Sequence, residues 1–253
     1  MVTLHEQLQQ GDAVNTIAIS AVAGMGGIGK TELALQYALK HLGLKTYLGG
    51  ICWLRAREDV GLQIVSFARS RLNFSVPEDL ELAAQVAWCW QNWDQQETLI
   101  VLDDVQQYGD VVSVLPPQKS QFKVLMTTRS QTQEDSVWVL TLDKLQPLAA
   151  FQMLCETLQD ESRIVKDQSF AAELCEWLGY LPLGIKLVAK FLRVEPDLSV
   201  QAMLLQLKAD KLKHDGLTSI ETVFELSWEK LSTAEQQLTV LLSLFAAAPI
   251  EWR

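Results

Sequence analysis

Gly24-Met25-Gly26-Gly27-Ile28-Gly29-Lys30-Thr31 is the stretch of this chain whose residue types and spacing most plainly carry chemistry. Glycines let successive backbone N–H groups turn inward around an anion with no Cβ in the way, and a helix starting at the loop's end adds partial positive charge. In the pattern GxxxxGK[ST] the lysine reaches the β- and γ-phosphates of a nucleotide, and the next hydroxyl ligates Mg²⁺. Average composition produces that pattern by chance in about 1% of chains this long. The chemistry is therefore polyphosphate binding by Gly24–Thr31, with Lys30 on the phosphates and Thr31 on the metal. A second cluster, Leu99-Ile100-Val101-Leu102-Asp103-Asp104, ends an apolar run in two carboxylates. A magnesium nucleotide needs one carboxylate at or near the metal and another group to orient the attacking water. Asp103 is assigned to the metal and Asp104 to the water. The plainer alternative is that both aspartates cap the next turn.

The elements around these residues can be read from periodicity. Thr16–Gly24 is a continuous apolar run rich in β-branched residues, as expected of a strand buried on both faces. Glu32–Gly43 follows with Leu33, Tyr37, Ala38 and Leu42 at helical spacing, and with Gly43 as a stop. Strand, glycine loop and helix is the order of a phosphate-binding βα unit. Further strands are expected within Thr46–Ala56, at Thr98–Val105, at Lys123–Arg129 and at Trp138–Leu142, with helices at Val60–Leu72 and Leu80–Trp93. Strands alternating with helices to about residue 145 predict an α/β fold with a parallel, doubly wound sheet.

Beyond Pro147 the period is helical only. Leu148, Phe151, Cys155 and Leu158 form one stripe, and Leu183, Leu187, Val188 and Phe191 another. Further helical segments are expected at Val200–Leu207, Ile220–Leu231 and Ala234–Phe245. Pro147 and Pro182 stand where helices can start, and Gly179 where one can stop.

Composition narrows the class. The 253 residues carry 21 Lys+Arg against 31 Asp+Glu, a net charge of −10, which argues against a general nucleic-acid partner. No secretory leader is read at the N-terminus, and Leu238–Ile250 is too short to span a bilayer. Cys52, Cys89, Cys155 and Cys175 are widely spaced, which fits buried thiols in a reducing compartment; the expected address is the cytoplasm. His5, His41 and His214 offer no zinc ligand set, and His41 and His214 are expected at the surface. Trp88, Trp90 and Trp93 follow helical spacing with Leu82 and Val86, so they are expected in the core rather than as a platform for bases. Glu78, Asp79 and Glu81 are expected in the first turn of a helix.

Two further segments make the set specific. Lys123-Val124-Leu125-Met126-Thr127-Thr128-Arg129 delivers an arginine at a strand end, and Leu178-Gly179-Tyr180-Leu181-Pro182-Leu183 is a helix–turn–helix junction with proline at its centre. In order with GMGGIGKT and LIVLDD, they resemble the NB-ARC, or AP-ATPase, branch of the STAND signalling ATPases, over about Thr16 to Phe245. The resemblance implies a P-loop sheet flanked by helices (1–145), a small helical domain (146–214) and an incomplete winged-helix domain (215–253). It implies ATP or ADP with Mg²⁺ as ligands, bound by the loop residues Gly24 to Glu32. Arg129 resembles the arginine that reads the γ-phosphate, with a strand-end salt bridge as the alternative. Leu181 and Pro182 resemble the turn lying against adenine, and Pro182 can also simply start a helix.

The function implied is a slow, Mg-dependent ATPase switch, with Lys30, Asp104 and Arg129 in catalytic roles. The full-length protein would self-associate in its ATP state, and effector and sensor domains would lie outside this chain. The alternatives are a non-hydrolysing scaffold held closed by ADP, and the nucleotide domain of a transcription regulator. Glu32 departs from the small residue common at that position in the family. A histidine motif of the winged helix would fall past Arg253, so the chain is expected to be a fragment.

Overall fold

The computed structural model describes residues 2–9, 16–21, 27–93, 96–117, 121–130, 137–213 and 218–243. The chain divides into two units, Met1–Asp143 and Lys144–Arg253.

In the first unit, helix α1 (Val2–Gln9) precedes strand β1 (Thr16–Ala21) and helix α2 (Lys30–Gly43). Strand β2 (Ile51–Arg55), helices α3 (Val60–Arg71) and α4 (Leu82–Asn92), and strand β3 (Thr98–Val105) follow. Helix α5 (Tyr108–Val111), a 3-10 turn at Val112–Val114, and strands β4 (Phe122–Thr128) and β5 (Val137–Leu142) complete it. The strands form one parallel sheet in the order β2-β3-β4-β1-β5. Side chains alternate across such a sheet, so each strand feeds two cores. Ala18, Ile100, Leu102, Val124 and Met126 pack with α3 and α4 on one face. Ile17, Ile19, Leu99, Val101 and Leu125 pack with α1 and α2 on the other. This is the parallel, doubly covered sheet that the continuous apolar runs predict.

Several local readings are corrected. The strand expected within Thr46–Ala56 is only Ile51–Arg55. Helix α1 has no sequence prediction; Leu4 and Leu8, one turn apart, are both fully buried and anchor it. Helix α2 buries Ala34, Tyr37, Ala38 and His41, while Leu42 is 61% exposed. His41 is thus a core residue rather than a surface one; its ring stacks on His5 at 4.3 Å and Nδ1 hydrogen-bonds Thr46 Oγ1 at 2.8 Å. His214 lies outside the described residues. Gly43 does not stop α2 either. The left-handed residue is Lys45 (φ 52°), and Thr46 N–H and Lys45 N–H close on the carbonyls of His41 and Leu42 in a Schellman arrangement. Glu78 and Asp79 precede the helix, and Glu81 is the N-cap of α4. The tryptophans are core residues as expected: Trp90 and Trp93 are buried, the half-buried Trp88 packs against the same core with its ring edge-on to Phe74, and Trp90 Nε1 donates to the Val114 carbonyl.

The second unit is helical: α6 (Pro147–Leu158), α7 (Glu161–Lys166), α8 (Gln168–Trp177), α9 (Pro182–Val194), α10 (Val200–Lys213), α11 (Ser219–Glu229) and α12 (Thr233–Ser243). Its core draws on Leu154, Leu174, Val188, Leu192, Leu204 and Leu226 among others. In α6 the buried stripe is Ala150, Leu154 and Leu158, with Leu148 69% exposed. The expected stripe is displaced because small Ala150 carries no apolar signal comparable to its neighbours. Likewise α9 buries Gly184, Ile185, Val188, Ala189 and Leu192, with Leu187 and Phe191 only half-buried. Pro147 and Pro182 occupy the first helical turns, where a missing N–H costs nothing.

Candidate functional site

The strand order places the predicted residues. β1 feeds the glycine loop and β3 carries the carboxylates, yet the two are not neighbours; β4 lies between them. Ile19 of β1 is in register with Thr127 of β4, and Leu102 of β3 with Met126. Thr127 therefore stands between the loop and the carboxylates at the C-terminal edge of a parallel sheet, where ligands of open α/β sheets bind.

Of the loop, Gly27, Ile28, Gly29, Lys30 and Thr31 are described, and Gly24, Met25 and Gly26 lie outside the described residues. Gly27 (φ 76°) and Gly29 (φ 100°) hold left-handed conformations that a Cβ would strain, and Gly29 is the N-cap of α2. Thr31 Oγ1 donates to Asp103 Oδ1 at 2.8 Å. Thr127 Oγ1 donates to the same oxygen at 2.6 Å and accepts the Asp104 N–H at 2.9 Å. Both hydroxyls fall on one oxygen of Asp103, so Oδ2 takes no hydrogen bond from the described residues. A carboxylate beside a hydroxyl is the hard oxygen donor set that suits Mg²⁺.

Asp104 sits in a β-bulge. Leu102 pairs with Met126 and Val105 with Thr128, so β3 holds one residue more than its partner. Asp104 takes φ 59°, which its short polar side chain tolerates, and its carboxylate meets two guanidiniums. Arg57 Nε donates to Oδ2 at 2.8 Å, and Arg129 Nε stands 3.7 Å from Oδ1. Burial and the Arg129 charge hold the Lys30 amine below its ordinary value, with Asp104 opposing. Lys30, Arg57 and Arg129 outnumber Asp103 and Asp104, which leaves the cluster one positive charge in excess and suited to an anion. Glu32 lies in the first turn of α2, exposed, and accepts a hydrogen bond from Gln36.

Sequence reasoning thus brings Lys30, Thr31, Asp103, Asp104 and Arg129 to one sheet edge, and it misses two residues there. Thr127 lies inside a segment singled out only for its arginine. Arg57 carries no motif; the one signal was its place just past a strand's C-terminal end.

In the second unit, Leu181 is the N-cap of α9 and Pro182 its first residue. The preceding turn is closed by a Schellman motif: Gly179 (φ 64°) and Tyr180 (φ 56°) are left-handed, and their N–H groups donate to Glu176 and Cys175. The Tyr180 carbonyl in turn accepts the Leu145 N–H at 3.1 Å.

Fold and cluster together define a P-loop nucleotide-binding domain. Residues 1–163 match the NB-ARC domain, and the chain belongs to the NB-ARC family. Similar proteins include regulatory protein AfsR of Streptomyces coelicolor, 26% identical over 239 residues, covering 90% of this chain and 24% of that protein. Another is a probable disease resistance RPP8-like protein 2 of Arabidopsis thaliana, 26% identical over 248 residues, covering 90% of this chain and 27% of that protein. The chain spans about a quarter of the length of these curated relatives. Among solved structures, a signal transduction ATPase with numerous domains (STAND) and a tetratricopeptide repeat sensor, from Pyrococcus horikoshii, shares the fold at TM-score 0.55 and 20% identity. That match covers 98% of this chain and 35% of the other. Among the described residues, no helix is long and apolar enough to cross a membrane.

Proposed function

We propose that this chain is the ATP/ADP-binding switch of a STAND-type signalling protein, with slow Mg-dependent hydrolysis setting its open or closed state. The observation that supports this best is the joining of loop and carboxylate: Thr31 and Asp103, 72 positions apart, share a hydrogen bond at the head of α2. In this reading the glycine loop from Gly24 to Glu32 and Lys30 bind the phosphates, and Thr31 and Asp103 hold Mg²⁺. The metal, when bound, supplies charge neutralisation between the phosphates. Asp104 orients the attacking water, and Arg129 reads the terminal phosphate through a fixed donor fork that needs no change of protonation. The role against adenine expected of Leu181 and Pro182 belongs to the same proposal.

A switch needs different affinities for two conformations rather than rapid turnover. Self-association in the triphosphate state, effector and sensor regions outside this chain, the winged-helix assignment of 215–253 and a cytoplasmic address are parts of the proposal that the family suggests. The regulatory name of the Streptomyces relative is compatible with an output in gene control. The test is to denature the purified chain and identify released nucleotide by ion-exchange chromatography, beside a Lys30→Ala control. Stoichiometric adenine nucleotide, lost in the control, is the expected result. A chain that carries none and fails to bind added Mg-ATP would overturn the reading.

A further inference from the structure

Arg57 lies in the turn after β2, and its position follows from the sheet. Arg55 is in register with Asp103, and Ala56 N–H donates to the Asp103 carbonyl at 2.8 Å, so Arg57 comes next, alongside Asp104. The bulge turns Asp104 out of the ladder, and its N–H is pinned on Thr127 Oγ1. One carboxylate is thus divided between two guanidiniums, and unequally. Arg57 makes a hydrogen-bonded contact at 2.8 Å, while Arg129 stands off at 3.7 Å with 61% of its side chain exposed.

We infer that Arg57 is a positioning residue that keeps Asp104 paired, so that Arg129 can leave the carboxylate for the terminal phosphate of a bound nucleoside triphosphate. The inference rests on the nucleotide-switch reading above. A long, exposed ion pair such as Arg129–Asp104 is cheap to give up, provided the carboxylate keeps another cation. Arg57 is that cation, on the opposite oxygen. Remove it, and Asp104 closes on Arg129, which the terminal phosphate must then pull away. A diphosphate has no terminal phosphate to recruit Arg129, so its affinity does not depend on Arg57. Arg57 therefore sets the preference for triphosphate over diphosphate without touching either.

The measurement is the affinity of the 253-residue chain for Mg-ADP and for a non-hydrolysable Mg-ATP analogue, by titration calorimetry. Five proteins are compared: the unaltered chain, Arg57→Ala, Arg57→Lys, Asp104→Asn, and Arg57→Ala combined with Asp104→Asn. Arg57→Ala should weaken the triphosphate analogue about three- to fivefold, the range of one partly exposed ion pair, and leave ADP within about twofold. Arg57→Lys, which restores a point charge without the fork, should recover about half of the loss. Relative to Asp104→Asn alone, adding Arg57→Ala should change nothing, because the carboxylate it serves is gone. Equal weakening of both nucleotides, no weakening of either, or a persisting effect in the Asn background would each overturn the role of Arg57. An unaltered chain that binds neither nucleotide would instead overturn the switch reading, and this proposal with it.

Discussion

Thr127 holds Asp103 from the adjoining strand, its hydroxyl donating to Oδ1 at 2.6 Å. The same oxygen of Thr127 accepts the Asp104 N–H, so one buried hydroxyl fixes both the carboxylate that faces Thr31 and the bulge that turns Asp104 outward. Neither contact is replaceable by water, because Thr127 is 1% exposed.

Thr127→Val should therefore destabilise the chain by about 1–3 kcal/mol, since it leaves the part-buried Asp104 N–H without its acceptor and removes a donor to a carboxylate. Thr127→Ser, which keeps the hydroxyl, should lose clearly less. Urea unfolding midpoints at constant slope would read both. No loss in Thr127→Val, or a larger loss in Thr127→Ser, would assign the stabilisation to the methyl group's packing instead.

Two glycines six positions apart should respond with opposite signs to alanine. Gly43 is the last helical residue of α2 and has nothing within 4 Å of an added Cβ, so Gly43→Ala should stabilise by up to about 1 kcal/mol through helix propensity. At Gly49 an added Cβ would stand 2.2 Å from Thr98 Oγ1 and 2.7 Å from the Gln96 carbonyl, so Gly49→Ala should destabilise by about 1–3 kcal/mol. Thermal unfolding of the two variants tests the pair.

What could be read from residues alone divides along physical lines. β3 and β4 are legible because a strand covered on both faces needs consecutive apolar residues, which Leu99–Leu102 and Val124–Met126 supply. The glycine loop was legible because its chemistry is local. α1 was not, since an eight-residue helix held by Leu4 and Leu8 has too little period to stand out. The buried face of α2 departs from its apolar stripe because His41 enters the core on His5, a partner that only folding brings near, and on Thr46 just past the helix end. The Arg57–Asp104 pair was hidden for the same reason: it is made by strand register and a bulge, and neither appears in a motif.

His41 should make stability pH-dependent. Burial, then the neighbouring charges of His5 and Lys40, hold its ring below the ordinary value of 6.5, beside Tyr37 and Tyr47. The unfolded chain then takes up the proton first as pH falls. The stabilisation is complete above about 6.5 and is lost as pH drops through the depressed folded value. Unfolding free energies between about pH 7.5 and about pH 5 should show this slope, and His41→Asn should flatten it. An unchanged slope in the variant would place the titration on another group.

The four thiols should separate by reactivity. Burial pushes Cys52 and Cys175 up to about 12 and raises Cys89 as well, so little thiolate exists at neutral pH. Cys155 is only half-buried. With an aromatic disulfide reagent at about pH 8, Cys155 should react first and the other three only as the chain unfolds. Rapid modification of Cys52 in the native state would contradict its place in the sheet.

The position of β4 also has a bearing on how the chain reaches its native state. β1 can join the sheet only through strands made much later, since Thr16 pairs with Val124, over a hundred positions on. Pairings that distant carry a large loop-closure cost and form late. The threonine–aspartate cluster can close only once β4 is synthesised and docked between its neighbours. An emerging chain that already carries the complete glycine loop would therefore still lack a finished site, and ligand would hold together only molecules that had folded through β4.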